Sequence, residues 1–320
     1  MEFNLADLFE IVADTVPYRL ALVAGEERRS YRELDERATR LAHHLQTAGI
    51  GAGEHVAVYA WNRAEWLEAE LAIYKARAAV INVNYRYVAD ELEYLFENSD
   101  SVAVVFERSF APLVLAVRRH APRLRHFVVL DDGSTDEESG RALTALGAVP
   151  YEAALADADP TRDFGPRSPD DPYILYTGGT TGLPKGVVWR AEDIFFAALG
   201  GGGFGQTPIR VAAALAERVT TDDHRTVAVV NAPMMHGGGQ WVTFITFYGG
   251  NTAVLNTDRH YDGDRVLRLA ERERATSVMV VGDAMARPLA DALAVPGASY
   301  DLSSLASIGS GGAILSKAAK

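Results

Sequence analysis

The sequence predicts an α/β protein in which short parallel strands are covered by amphipathic helices. Short β-branched and aromatic runs recur along the chain, helical apolar stripes separate them, and turn residues mark the junctions. At 320 residues and 34.6 kDa the chain can bury a core of enzyme size. Apolar residues make up 48% and charged residues 23%, a globular composition that argues against disorder or a fibre.

The elements follow in order. Residues 5–16 have helical apolar spacing, and 20–23 read as a strand before the turn at Gly25-Glu26-Glu27. Ser30 can cap a helix, with Glu33 in capping-box position, and Leu34, Ala38, Leu41 and Leu45 continue the apolar stripe to Gly49. Strands at 56–59, 79–83, 102–106 and 127–130 then alternate with helical stretches such as 65–75 and 90–98. Residues 131–171 break the pattern with acids, glycines and the run Gly165-Pro-Arg-Ser-Pro-Asp-Asp-Pro172, so they predict a connection with a helix near 141–146. That divides the chain into a first α/β region, 1–165, and a second, 166–320. In the second, strands are expected at 173–176, 187–189, 227–230, 252–255, 277–281 and 305–308, and helices at 191–199, 241–248, 265–272 and 284–293. No fixed-period repeat is present.

Charge and composition narrow the function. Lys and Arg number 31 against 43 Asp and Glu, for a formal charge of −12, which disfavours nucleic acid as a partner. Arg118, Arg119, Arg123 and Arg125 are interrupted by Ala, Pro and Leu and read as the coat of a solvated helix end. The absence of cysteine excludes disulfides, thiolate metal sites and a Cys nucleophile, and fits a cytoplasmic setting. Glu2, Asp7, Glu10 and Asp14 argue against a secretory leader, and no apolar run reaches the ~18 to 20 residues of a membrane helix. The oligomeric state is open, a homodimer being one option.

The most informative stretch is Tyr173-Ile-Leu-Tyr-Thr-Gly-Gly-Thr-Thr-Gly-Leu-Pro-Lys-Gly-Val-Val-Trp189. Gly178, Gly179 and Gly182 let backbone N–H groups turn toward an anion. Thr177, Thr180 and Thr181 add hydroxyls, and Lys185 adds a full charge. Each charge-assisted bond to a phosphate oxygen contributes roughly 1.5 to 3 kcal/mol. The loop is not a Walker A motif, because Pro184-Lys185-Gly186 leads into a strand.

This string resembles the signature loop of the adenylate-forming superfamily of acyl-CoA synthetases, luciferases and peptide-synthetase adenylation domains. It matches Tyr-Thr-Ser-Gly-Thr-Thr-Gly-x-Pro-Lys-Gly except at Gly178, where Ser is commoner; the backbone N–H remains. The resemblance implies that Thr177 to Lys185 grip the β- and γ-phosphates of ATP, and it gives Lys185 a catalytic role.

Further motifs follow in the family's order. Asn231-Ala-Pro-Met-Met-His-Gly-Gly-Gly-Gln-Trp241 resembles the family's Pro-x-x-His-Gly segment, which borders the carboxylate substrate. Alone, such a histidine reads as a buried structural residue; the resemblance assigns the site to His236, Gly237 and Trp241. Trp241, Phe244, Ile245 and Tyr248 share one helix face, which suits core or an acyl-pocket wall. Ser310-Gly-Gly-Ala-Ile-Leu315 resembles the loop that packs on adenine, implicating Gly311, Gly312 and Ala313. Val281-Gly-Asp-Ala-Met-Ala-Arg-Pro288 looks like a subgroup of actinobacterial ligases for bulky lipid acids, including steroid side chains. Asp283 is expected to cap a helix there. Gly237, Gly238, Gly239, Gly282 and Ala284 are expected to leave volume for the acid, with Gly282 at the substrate.

The resemblance implies the N-terminal large domain of the adenylate-forming fold, built of stacked α/β subdomains with mainly parallel sheets. Absent are the Tyr-Gly-x-Thr-Glu and Thr-Gly-Asp segments, the hinge and the small C-terminal domain with its lysine, so the chain is expected to be an N-terminal fragment, inactive alone. The function implied is an ATP-dependent acyl-CoA synthetase using ATP, Mg²⁺ and CoA on a long-chain or bulky lipid acid. A non-catalytic nucleotide- or lipid-binding module and an adenylase that loads a carrier protein are the alternatives.

Overall fold

The computed structural model describes residues 3–178, 182–202, 207–221 and 225–319. Its strands are β1 (Leu20–Ala24), β2 (Glu27–Ser30), β3 (His55–Tyr59), β4 (Ala79–Asn82), β5 (Ala103–Glu107), β6 (His126–Leu130), β7 (Val149–Pro150), β8 (Pro172–Thr177), β9 (Lys185–Arg190), β10 (Val227–Val230), β11 (Thr252–Leu255), β12 (Ser277–Val280) and β13 (Ser307–Ser310). The helices are α1 (Leu5–Thr15), α2 (Tyr31–Thr47), α3 (Ala64–Lys75), α4 (Ala89–Asn98), α5 (Ala111–Arg118), α6 (Glu137–Leu146), α7 (Tyr151–Ala156), α8 (Ala191–Ala198), α9 (Ala214–Thr221), α10 (Gly237–Tyr248), α11 (Gly263–Arg272) and α12 (Gly282–Leu293).

Two sheets carry the fold. One has five parallel strands in the order β4-β3-β5-β6-β7; the other has six, β13-β12-β10-β11-β1-β2, parallel except for the β1–β2 hairpin. Their inner strands are buried on two faces, as in parallel sheets generally, while the edge strand β13 is exposed and β2 is partly so. In β3, Val56 and Val58 join one core while Ala57 and Tyr59 join another. In β11, Ala253 and Leu255 share the core of Val56, whereas Val254 faces a third. The shared core contains α1, α2, α3 and α10, so a helical layer lies between the sheets.

Most predicted elements are present, and the departures have local causes. The capping box forms: Ser30 Oγ accepts from Glu33 N at 3.3 Å, and Glu33 Oε2 accepts from Ser30 N at 2.8 Å. Helix α5 ends at Arg118, where the Arg-rich stretch implies a helix end; α7 and α9 are additional, being short segments whose apolar spacing covers little more than a turn or two. β13 begins at Ser307, later than expected, because pairing with β12 starts at Ser277↔Ser307, while Leu305 closes a turn onto Leu302. The division at 165 separates the two large sheets except at β1 and β2: β1 pairs with β11 of the second region, and β2 pairs with β1 at the edge of that sheet. The connection that follows α7 is clamped by ion pairs, Arg162 to Asp35 at 2.7 Å and Arg167 to Glu10 at 2.9 Å. No helix among the described residues is long and apolar enough to cross a membrane.

Candidate functional site

The phosphate-loop string forms an antiparallel hairpin that stands apart from both sheets. β8 and β9 pair from Pro172↔Arg190 to Thr177↔Lys185, so Thr177 and Lys185 are cross-strand partners at the end that the connecting loop closes. The strand that the sequence predicts at 187–189 thus starts at Lys185. Gly186 is required here, since a Cβ would lie 2.8 Å from the Tyr176 ring. Tyr94 donates to Pro184 O at 3.1 Å and Tyr176 to Asn98 Oδ1 at 2.8 Å, which fixes the hairpin on α4. Thr177, Gly182 and Lys185 are exposed, as a phosphate grip needs; a Cβ at Gly178 or Gly182 would meet nothing. Gly179, Thr180 and Thr181 lie outside the described residues.

The other predicted loops meet because three neighbouring parallel strands end together. β10, β12 and β13 are adjacent, with Val230↔Met279 and Val280↔Ser310 in register. Their carboxyl ends release the His236 loop, Gly282 and the 311–313 loop side by side, where α/β sheets bind ligands. Asn231 Nδ2 donates to Met279 O at 2.8 Å, tying the first loop to the second strand.

His236 ends the loop and opens α10. Its carbonyl accepts from Gly239 and Gln240, and its exposed imidazole is held below the ordinary range by lost hydration and by the Arg86 guanidinium. A neutral imidazole accepts a hydrogen bond at one nitrogen and donates one from the other without carrying a fixed charge. Trp241 is half-buried and donates from Nε1 to Tyr173 Oη at 2.9 Å. Tyr173 donates in turn to Gln240 Oε1 at 2.7 Å, so the first turns of α10 are fastened to β8. Phe244 and Tyr248 are buried core.

Most of the small residues serve close approach and leave no volume. A Cβ at Gly239 would lie 2.5 Å from Pro233 O, and one at Gly237 would lie 2.7 Å from Leu175 Cδ2. Gly238 is open, with Ala232 Cβ its nearest neighbour at 3.9 Å. Gly282 has φ +58°, and a Cβ there would lie 2.6 Å from Ile314 O. That contact seats the 311–313 loop on α12: Gly282 N donates to Ser310 Oγ at 3.1 Å and Asp283 N to Ile314 O at 3.1 Å. Asp283 does not cap its helix. The cap position is Val281, and the Asp283 carboxylate, already inside the first turn, accepts from Ser316 N at 2.7 Å and pairs with Arg287. Gly312, at φ +78°, makes the turn after Gly311, whose N–H donates to Val280 O at 3.2 Å, and Gly312 and Ala313 are exposed.

Asn82 is a residue to which motif reading gives no catalytic role. Its Nδ2 donates to Tyr176 O at 2.9 Å and to Met235 O at 2.6 Å, and its Oδ1 accepts from Tyr176 N at 2.8 Å. Tyr176 precedes Thr177, and Met235 precedes His236. In sequence it opens the run Asn82-Val-Asn-Tyr-Arg86, which reads as a strand end running into a turn. A larger cleft, about 710 Å³, opens at the carboxyl end of the five-stranded sheet among Arg63, Arg108, Asp131 and Glu152. None of the predicted site residues lines it.

This arrangement defines an α/β domain with a Thr-, Gly- and Lys-bearing hairpin beside loops at a parallel-sheet terminus. The chain belongs to the AMP-binding enzyme family, which matches it over residues 9–320. It is 42% identical to a 3-oxocholest-4-en-26-oate–CoA ligase of Rhodococcus rhodochrous, over 100% of this chain and 57% of that protein. It is 43% identical to a medium/long-chain-fatty-acid–CoA/3-oxocholest-4-en-26-oate–CoA ligase of Mycobacterium marinum, over 99% of this chain and 57% of the relative. The chain therefore spans little more than half the length of these curated relatives. In fold it resembles the inhibitor-bound N-terminal domain of FACL13 from Mycobacterium tuberculosis, with a TM-score of 0.77 at 22% identity, covering 99% of this chain and 71% of that one. The anthranilate–CoA ligase AuaEII in complex with anthranoyl-AMP gives a TM-score of 0.77 at 22% identity, over 96% and 54%.

Proposed function

We propose that this chain supplies the ATP- and acid-binding part of an acyl-CoA synthetase acting on long-chain or bulky lipid acids, steroid side-chain acids included. The observation that carries this reading is that β8 is fastened to the start of α10, through Tyr173 and through Asn82, while the His236, Gly282 and 311–313 loops leave adjacent strands, in a chain of the AMP-binding family. The names of the relatives at 42% and 43% identity supply the substrate class.

In the first step a carboxylate oxygen attacks the α-phosphorus of Mg·ATP, and the bond to the β-phosphate breaks to release pyrophosphate. In the second, the CoA thiol attacks the acyl carbonyl, AMP departs with the bonding pair, and the thiol proton goes to solvent. Thr177, Lys185 and the backbone of 178–182 hold the departing phosphates. Gly311, Gly312 and Ala313 present backbone to adenine, while His236, Gly237, Trp241 and Gly282 surround the acid. Aligning the reactants and neutralising phosphate charge lower the barrier, so no side-chain nucleophile is needed. Mg²⁺ enters with ATP as part of the substrate. Among the described residues no cluster of three His, Asp or Glu side chains offers it a separate site.

The test is acid-dependent ATP–pyrophosphate exchange by the full-length protein, followed by thioester formation with CoA. Acetate, a medium-chain acid, a long-chain acid and a 3-oxo steroid side-chain acid are compared by kcat/KM. Preference for the long or ring-bearing acids supports the reading; preference for acetate or an amino acid overturns the substrate class. Exchange without acyl-CoA, but with acyl transfer to a carrier protein, would move the enzyme to the carrier-loading group. No exchange with any acid would favour a binding module.

A further inference from the structure

Asn82 ends β4 in the five-stranded sheet, yet its side chain leaves that sheet altogether. It is 4% exposed. Both amide N–H bonds and the carbonyl oxygen are engaged, on backbone partners that lie 94 and 153 residues away. A primary amide has few further bonds to make, so a buried Asn with these partners is held in a single pose. The partners belong to different structures: Tyr176 is in the hairpin, paired on its other side with Gly186, and Met235 lies in the loop between β10 and α10. Because one planar amide touches both, a shift of Tyr176 must be passed on to Met235 or break a bond inside the core.

Those partners sit immediately before the residues that face the two reactants. Thr177 ends β8 where the phosphate loop begins, and His236 is the N-cap of the acid-binding helix. An in-line displacement depends on the spacing of the two reactants, and a misplacement of about 1 Å can cost on the order of a hundredfold in rate. A packing role alone would be met by an apolar side chain of equal size. Here such a side chain would leave two carbonyls and an N–H buried without partners.

We propose that Asn82 is a positioning residue that couples the nucleotide hairpin to the acid-binding loop, so that filling either site orders the other. The proposal rests on the adenylate-forming reading. It predicts reciprocal coupling: the acid tightens ATP binding by the same factor by which ATP tightens acid binding.

Two variants separate coupling from support. Asn82→Leu keeps the size and removes all three bonds; Asn82→Asp keeps the acceptor for Tyr176 N–H and removes both donors. Hydrogen–deuterium exchange is followed over 172–190 and 231–241 with and without Mg·ATP. In the unsubstituted protein Mg·ATP protects both segments. In either variant protection of 172–190 persists while that of 231–241 is lost. In the full-length enzyme the ratio of ATP affinities with and without acid, on the order of tenfold at the start, falls toward one. Pyrophosphate exchange then drops in kcat more than in either KM. Should Asn82→Leu fail to fold, Asn82→Asp carries the comparison. Equal protection of 231–241 in variant and parent, or an unchanged affinity ratio beside a lowered Tm, overturns the proposal and leaves Asn82 a structural residue. Absence of protection over 172–190 in the unsubstituted protein would remove the nucleotide reading and this proposal together.

Discussion

Tyr74 donates its phenolic proton to Glu70 Oε1 at 2.8 Å inside the helical layer that the two sheets share. The second carboxyl oxygen, Oε2, has no hydrogen-bond partner among the described residues. Burial pushes the Glu70 carboxyl up to about 8, against the opposing effect of the Tyr74 hydroxyl. Folded protein therefore keeps this proton at neutral pH, whereas the unfolded chain loses it near the ordinary carboxyl value of 4.5.

Between those two values the folded state binds more protons, so Glu70's contribution to stability is lost as pH rises from about 4.5 through about 8. The slope is at most about 1.4 kcal/mol per pH unit. Glu70→Gln removes the titration and keeps the shape. Its Tm is expected to match the parent near pH 5 and to exceed it increasingly toward pH 8. A gap that is constant across that range would mean that Glu70 does not carry the proton.

His126 shows the opposite sign. Its Nε2 lies 3.0 Å from His44 Nε2, and burial, then the nearby His44 and Arg125, depress it to about 4. Below the ordinary value of 6.5 the unfolded chain takes up a proton that the folded state refuses, so stability is lost as pH falls from about 6.5 through about 4. His126→Gln should flatten the acid limb of the melting curve over that interval, measured by Tm at half-unit steps.

Lys185→Ala deletes an exposed charge at the mouth of the β8–β9 hairpin and touches no core residue. A charge-assisted bond to phosphate contributes about 1.5 to 3 kcal/mol, so pyrophosphate exchange is expected to fall roughly 10- to 150-fold. Tm should stay within about a degree, since an exposed side chain away from the core changes stability little. Unaltered exchange would take Lys185 out of the site.

The adjacent glycines of α10 should behave differently. Gly238→Ala places a Cβ in open space at a helical position, and a gain of up to about 1 kcal/mol is expected. Gly239→Ala drives the Cβ to 2.5 Å from Pro233 O and 2.8 Å from Ala232 O. Overpacking of that kind costs roughly 1 to 3 kcal/mol, and the loop that carries His236 must shift with it. Urea unfolding midpoints with and without Mg·ATP measure both effects; equal stability of the two variants would contradict the close approach.

The order of elements and the chemistry of the phosphate loop are determined by the sequence alone, because both depend on residues close in the chain. The capping box at Ser30 and Glu33, the apolar stripe of α2 and the Thr-, Gly- and Lys-bearing string at 173–189 are local patterns, and local physics suffices to read them. Asp283 shows where that reach stops: its position suits an N-cap, yet its carboxylate binds Ser316, because the 311–313 loop returns to the start of α12 only once β13 has paired with β12. Gly237 and Gly239 likewise read as empty space in one dimension and are filled by Leu175 and Pro233 in three. The pairing of β1 with β11, and the amide of Asn82 held between Tyr176 and Met235, join residues many turns of chain apart. Such contacts depend on sheet order and layer packing, and no periodicity within a segment encodes them; only the tertiary structure decided which side chains meet at the site.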